Sequence, residues 1–130
     1  MVSFSSFRAV GGTPIYLQIQ NFIRRGCVAG TIQNGDELPS RRVLSALLGV
    51  NPNTVQKAFR LLEEEGLITS HTGSKSCITV DDASLAVLRQ TLLREDLRAA
   101  TRSLRQLGIA KEDALRLISE FWEESSCENT

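Results

Sequence analysis

The sequence of 130 residues is poor in the residue types from which catalytic and metal sites are built. It has one histidine, His71, so it offers no Ser-His-Asp or Cys-His catalytic set and no histidine-rich metal site. A glycine-rich phosphate-binding loop is also absent. We therefore expect neither an enzyme nor a protein that needs a metal ion or another cofactor.

The cysteines are few and widely separated. Cys27, Cys77 and Cys127 lie roughly fifty residues apart, which matches neither a disulfide framework nor the short spacing of a zinc knuckle. We expect free thiols in a reducing compartment, with a redox role as the less favoured alternative.

Long apolar runs are missing as well. No stretch approaches the roughly 18 residues that a membrane-spanning helix needs. The first residues lack the basic and apolar segments of a secretion signal. These absences predict a cytoplasmic protein without a membrane partner. With 42% apolar and 23% charged residues, the composition is that of a globular chain, long enough for one ordinary domain or two very small ones.

The net charge of zero conceals an uneven distribution. Residues 1–80 contain eight Lys and Arg residues against five acidic ones, which makes them net +3. Residues 81–130 contain seven basic and ten acidic residues, which makes them net −3. Such a division suits a protein that presents one half to a polyanion.

Residues 51–62 predict a helix with two chemically different faces. An apolar stripe at helical spacing consists of Val55, Ala58, Phe59 and Leu62. The opposite face carries amide and cationic groups, on Asn53, Gln56, Lys57 and Arg60. Asn51 suits the N-cap and Pro52 the first helical position. The polar groups are of the kind that reaches bases and phosphates in a major groove, although a merely solvated face is the alternative.

The elements around this helix follow a recognisable order. Residues 1–12 look like a loose arm, and Thr13 with Pro14 caps a first helix that fades between Gly26 and Gly30. The buried sides of the first two helices are predicted to contain Ile15, Ile19, Phe22 and Ile23, and Leu44, Leu47 and Leu48. Ser40 suits the N-cap of the second helix and Gly49 its end.

Two short extended runs follow the third helix. Residues 67–71 and 77–80, joined by a turn over 72–76, predict a β-hairpin. Three helices and a hairpin are the order of a winged helix-turn-helix, so the fold class is mainly α with a small β-hairpin wing. We expect a winged helix-turn-helix domain over residues 13–80 and a helical domain over residues 81–130.

The helical domain has apolar stripes that two helices alone cannot cover. The candidate dimerisation residues are Leu93, Leu97, Ala100, Leu104 and Leu107 on one helix, with Ile118, Phe121 and Trp122 on the next. Pairing with the same helical hairpin of a second copy would bury them, so a symmetric homodimer is expected. The alternative is that the two helices fold back on the front domain.

Several blocks of the sequence together resemble the GntR family of bacterial transcription regulators. They are residues 35–44, 48–58 and 62–68, together with 14–19 as that family's first helix. The sequence Val-Asn-Pro-Asn-Thr-Val at residues 50–55, together with the short helical tail, resembles members of the YtrA-like subgroup. The resemblance implies a dimeric DNA-binding repressor, often of operons that encode membrane transporters.

The same resemblance suggests which residues contact DNA. Arg42 matches the family arginine that contacts DNA, and Asn53, Thr54 and Gln56 match the exposed start of its recognition helix. Gly73 matches the wing-tip glycine beside Ser74, while Lys75 stands where the family usually has a second glycine. Two further candidate phosphate contacts are Lys57 and Arg41, although Arg41 occupies a position where the family often has an acid.

The leading hypothesis is therefore a repressor that binds an inverted-repeat operator as a homodimer. The alternative is a winged-helix module for protein–protein interaction without sequence-specific DNA binding. A small-molecule effector is not identified by the sequence. If there is one, we expect it at a dimer or interdomain interface, because two helices enclose little space.

Overall fold

The computed structural model describes residues 1–71 and 75–128, with side chains as far as residue 125. Its elements are α1 (Ile15–Ala29), β1 (Glu37–Leu38), α2 (Arg41–Leu48), α3 (Pro52–Glu64), β2 (Ile68–His71), β3 (Lys75–Ile78), α4 (Asp82–Gln106) and α5 (Lys111–Glu128). The chain divides into two compact units, Met1–Gln90 and Thr91–Thr130. The predicted fold class, mainly α with a small β-hairpin wing, is confirmed.

Three helices enclose the apolar core of the first unit. Ile19 and Ile23 of α1 are fully buried, and both α1 and α2 pack against α3. The predicted apolar stripe of α3 is confirmed, since Val55, Ala58, Phe59 and Leu62 are all fully buried. A helix gains most of its stability by burying its apolar face, which explains why α1, α2 and β2 gather around α3.

Side-chain caps and one glycine set the ends of α2 and α3. Ser40 Oγ accepts a 3.1 Å hydrogen bond from a backbone N–H in the first turn of α2, as predicted. Gly49 follows α2 with a φ of +68°, a left-handed conformation that favours glycine. Asn51 then caps α3, and Pro52 takes its first position. These local signals build the turn between the two helices.

One expectation for α1 is met in part, and one for α2 was wrong. Pro14 lies at the N-cap of α1, as the predicted cap by Thr13 and Pro14 requires, but no side chain makes a capping hydrogen bond there. Leu47, predicted to face inward, is 66% exposed, whereas Leu44 is fully buried and Leu48 half-buried. The reason is that α2 is only eight residues long and packs mainly against α3, so its buried face is too narrow for three leucines.

The sheet contains three antiparallel strands in the order β1-β3-β2. The predicted pairing of the last two strands is confirmed, but β1 adds a third, with Glu37 opposite Cys77 and Leu38 opposite Ser76. β3 begins at Lys75, so this strand starts earlier than the predicted Cys77. A strand of two residues shows no alternation in the sequence, which is why β1 was not predicted to join the sheet.

The N-terminal arm is packed rather than loose, so that expectation was wrong. The N–H of Val2 donates a 2.7 Å hydrogen bond to a backbone oxygen of β1. Val2 and Phe4 are buried, and the Phe4 ring stacks on Phe22 of α1 at a centroid distance of 5.1 Å. Farther along, Gln18 of α1 exchanges two hydrogen bonds of 2.8 Å with the backbone of Val10. Val2 and Phe4 alternate with serines, but two apolar positions are too few to define a strand, so their burial was not predicted from the sequence.

The second unit consists of the later part of α4 and the whole of α5. Gly108 lies between the two helices with a φ of +74°. Of the candidate dimerisation residues, Leu104 is half-buried, while those exposed in the single chain are Leu93, Leu97, Ala100, Leu107, Ile118, Phe121 and Trp122. The second unit therefore presents several large apolar side chains to solvent.

Candidate nucleic-acid interface

The N-terminal half of α3 presents amide groups on a rigid backbone. Asn53 and Gln56 are exposed and Thr54 is half-buried. Asn51 Oδ1 accepts a 2.8 Å hydrogen bond from the N–H of Asn53, and the Thr54 N–H donates a 2.9 Å bond to the Asn51 carbonyl. Because these bonds hold the first turn, the amide side chains start from fixed backbone positions. Such pre-positioned amides are suited to reading base edges.

Lys57 lies on the same exposed side of α3 and makes a contact that the sequence did not predict. Its Nζ lies 4.0 Å from the centroid of the Tyr16 ring of α1, a cation–π contact. Tyr16 is half-buried and lies outside the predicted apolar stripe of α1. It was missed because the two residues are far apart in the chain and only the packing of α1 on α3 brings them together.

Arg41 and Arg42 at the start of α2 have different surroundings. Arg42 is exposed and forms no ion pair with any residue that the structure describes. The Arg41 guanidinium lies 3.6 Å from the Glu63 carboxylate of α3, and its side chain is 26% exposed. Only Arg42 therefore has a charge that is available to solvent or to a polyanion without first breaking an ion pair.

The described part of the hairpin ends close to the predicted wing tip. His71 of β2 and Lys75 of β3 are opposite each other in the register, and both are exposed. Lys75 therefore belongs to a strand rather than to the predicted turn. The candidate residues Gly73 and Ser74 lie outside the described residues.

The two thiols that the structure describes belong to α1 and β3. Burial, and to a lesser degree the negative charge of Asp36, raises the pKa of Cys27 to about 11. Cys77 is half-buried in β3, and both are free thiols. The side chain of Cys127 lies outside the described residues.

The described residues contain neither a metal site nor a membrane span. Over residues 1–71 and 75–128, no group of three or more His, Cys, Asp and Glu side chains is arranged to hold a metal ion. None of the described helices is long and apolar enough to cross a membrane.

The first unit has a cleft of about 430 Å³ between arm serines and α1, and the second has an apolar groove of about 510 Å³ between α4 and α5.

Comparison with known proteins identifies the same region. Residues 15–78 match the family model described as bacterial regulatory proteins, gntR family. The HTH-type transcriptional regulator YhcF of Bacillus subtilis is 34% identical over 110 residues, which cover 85% of this chain and 91% of that protein. The HTH-type transcriptional repressor YtrA of Bacillus subtilis is also 34% identical over 110 residues, covering 84% and 85%.

A solved structure has the same architecture. The GntR family transcriptional regulator from Listeria monocytogenes superposes with a TM-score of 0.76 at 31% identity, covering 86% of this chain and 98% of that one. The matched family region runs from α1 to β3, which is the winged helix-turn-helix with the polar face of α3. The relatives are transcriptional regulators rather than enzymes. This chain is a DNA-binding transcription regulator that belongs to the GntR family and, within it, to the YtrA-like subgroup.

Proposed function

We propose that this regulator is a homodimeric repressor that binds an inverted-repeat operator. The observation that carries the proposal is the exposed polar face of α3, whose opposite face is fully buried. A helix anchored in this way can enter a major groove without changing the core. Two copies related by a twofold axis would place two such helices about 34 Å apart, one turn of DNA.

The residues of this face divide into two groups by chemistry. Asn53 and Gln56 have amides that can pair bidentately with adenine, and Thr54 offers a hydroxyl or a methyl group to thymine. Arg42, Lys57 and Lys75 carry the charges to neutralise phosphates and set the register. We assign wing-tip contacts to Gly73 and Ser74 from the family resemblance.

The second unit supplies the proposed dimer contact. Its exposed residues include Leu97, Leu107 and Phe121, which are 63%, 81% and 61% exposed in the single chain. Burying such side chains contributes roughly 25 cal/mol per Å² of apolar surface removed from water. A second copy offers an identical apolar surface, as an isologous interface requires.

Similarity supports the proposals of repression and of the target. A relative with 34% identity is named a transcriptional repressor. By the subgroup resemblance, we propose an operon for a membrane transporter as the target. Binding to chromosomal DNA would place the protein in the bacterial cytoplasm.

In-vitro selection from a random DNA pool tests the proposal. We expect the purified protein to enrich a palindrome, and its affinity to fall roughly a thousandfold between 50 and 200 mM salt for about 6–8 phosphate contacts. Asn53→Ala should relax the preference at one base of each half-site, whereas Glu64→Ala, at the far end of α3, should not. A pool without an enriched palindrome would refute sequence-specific binding.

A further inference from the structure

Arg41 connects three elements of the first unit. Its Nη2 lies 3.6 Å from Glu63 Oε1 near the end of α3 and donates a 3.4 Å hydrogen bond to Ser70 Oγ of β2. The guanidinium carbon lies 5.6 Å from the centroid of the Phe59 ring. One side chain at the start of α2 thus touches α3 twice and the wing (β2 and β3) once.

The acceptors of Arg41 also bind each other. Ser70 Oγ donates a hydrogen bond to Glu63 Oε1 and lies 3.1 Å from Ser76 Oγ. Ser70 and Ser76 are opposite each other in the β2–β3 register, and Ser76 is buried. The contacts therefore run from α2 through the end of α3 to both strands of the wing.

The chemistry of this position favours the ion pair over a phosphate contact. A cation in the first turn of a helix meets the positive end of the helix dipole, so Arg41 gains from a nearby carboxylate. One nitrogen, Nη2, reaches both Glu63 and Ser70, while the planar guanidinium lies near the Phe59 ring, on which an arginine can stack. Its Nε is buried, away from the solvent that a phosphate-binding side chain would share.

The partly exposed pair fixes geometry more than it adds stability. Arg41 and Glu63 side chains are 26% and 35% exposed, and ion pairs with such access to water contribute little to folding. Their contacts nevertheless link the end of α3 to β2 and, through Ser76, to β3, which carries Lys75. The orientation of the wing relative to α3 decides whether both reach one DNA site.

We propose that Arg41 is a positioning residue that holds the wing against α3 through Glu63 and Ser70, and that it does not neutralise a phosphate. The inference rests on the proposed reading of DNA by α3 and the wing. Its neighbour Arg42, exposed and without an ion pair to any described residue, then carries the phosphate contact at the start of α2.

A double-mutant cycle on the full-length protein and its selected DNA site tests this assignment. Arg41→Gln and Glu63→Gln should each weaken specific binding by about three- to tenfold, and the double variant should be no weaker than the worse single one. The charge exchange Arg41→Glu with Glu63→Arg should recover most of the loss. Arg42→Gln is the matched control. It should instead make the dependence of log K on log salt less steep, by roughly 0.9 for each phosphate that is no longer neutralised.

Amide hydrogen exchange supplies a readout that does not depend on DNA. Arg41→Gln and Glu63→Gln should both speed exchange in residues 68–71 and 75–78 while leaving α1 protected, and Arg42→Gln should change neither. If Arg41 instead neutralised a phosphate, the DNA affinities would show the opposite result. Glu63→Gln would leave the affinity unchanged or raise it, and the charge-exchanged protein would bind more weakly than either single variant. If even the unaltered protein selects no DNA site, the proposed function fails. If Arg41→Gln and Glu63→Gln leave amide hydrogen exchange in the wing unchanged, the positioning role of Arg41 is overturned.

Discussion

At the scale of single residues, two asparagines at the start of α3 have different surroundings. The Asn51 side chain is used internally, because its Oδ1 accepts the Asn53 N–H at 2.8 Å. The Asn53 side chain points away from the core on the exposed face. Of two asparagines two positions apart, one therefore caps the helix and the other presents its amide on the exposed face.

Substituting these two residues separates stability from DNA binding. Asn51→Ala removes the N-cap and should lower the free energy of unfolding by about 1 kcal/mol. Asn53→Ala should change it by less than about 0.5 kcal/mol, because the side chain that it removes is exposed and caps nothing. Urea denaturation measures both, and equal decreases would contradict the division of tasks.

The buried Cys27 provides a pH-dependent prediction. Its pKa of about 11 in the folded chain compares with an ordinary value of 9.0, so the folded state keeps this proton longer than the unfolded state. Below about pH 9 the thiol is protonated in both states, so the free energy of unfolding does not depend on it. As the pH rises from 9 towards 11, only the unfolded state loses the proton, so the free energy of unfolding falls. At pH 8 the Cys27 thiol is protonated and buried, so iodoacetamide should label it far more slowly than the half-buried Cys77. Equal labelling rates by peptide mapping would contradict its burial.

At the scale of elements, the N-terminal arm is an integral part of the first unit. It adds apolar surface to α1 and a hydrogen bond to β1, the strand that supports one side of the wing. The ring of Phe7 also meets Phe22 edge-on, at a centroid distance of 5.6 Å. The arm thus helps to hold the sheet on which the wing is built.

Shortening a single buried side chain of the arm tests this role. Phe4 is buried against Phe22, so Phe4→Ala should lower the free energy of unfolding by about 3 kcal/mol. Val10→Ala, at a position that is 62% exposed in the same arm, should change it by less than about 0.5 kcal/mol. Thermal or urea unfolding of the two variants measures the difference, and similar values would mean that the arm does not stabilise the unit.

The elements also differ in how well the sequence predicted them. α3 was predicted closely, because its stripe, N-cap and first proline are all local signals. The same reasoning failed for Leu47, since the number of leucines buried on α2 depends on the area that α3 offers. β1 and the packed arm depend on partners that are distant in the chain, which no local period records.

At the scale of the whole molecule, the two units present different kinds of surface. The first carries the polar face of α3, and the second carries exposed apolar side chains on α4 and α5. A single recognition helix contacts only one half-site. Joining two copies through the second unit would double the contacts and with them the specificity for a palindrome.

Substitutions on α4 test the dimer. Leu97→Glu should weaken self-association, because it places a charge in a surface that we expect to be buried between copies. Ser103→Glu, an equally charged change at an exposed position off the stripe, should leave it intact. Light scattering after size-exclusion chromatography gives the mass of each variant. A dimeric Leu97→Glu protein would exclude α4 from the interface.

Sequence alone determined the order of the helices and of the β2–β3 hairpin, the two faces of α3 and the family of this regulator, because each depends on local spacing. It also located the candidate DNA contacts along the chain. Only the tertiary structure decided that the arm packs on α1, that Lys57 lies over Tyr16, and that Arg41 meets Glu63 and Ser70. These contacts join residues that are far apart in the chain, and their formation depends on how the helices and sheet pack together.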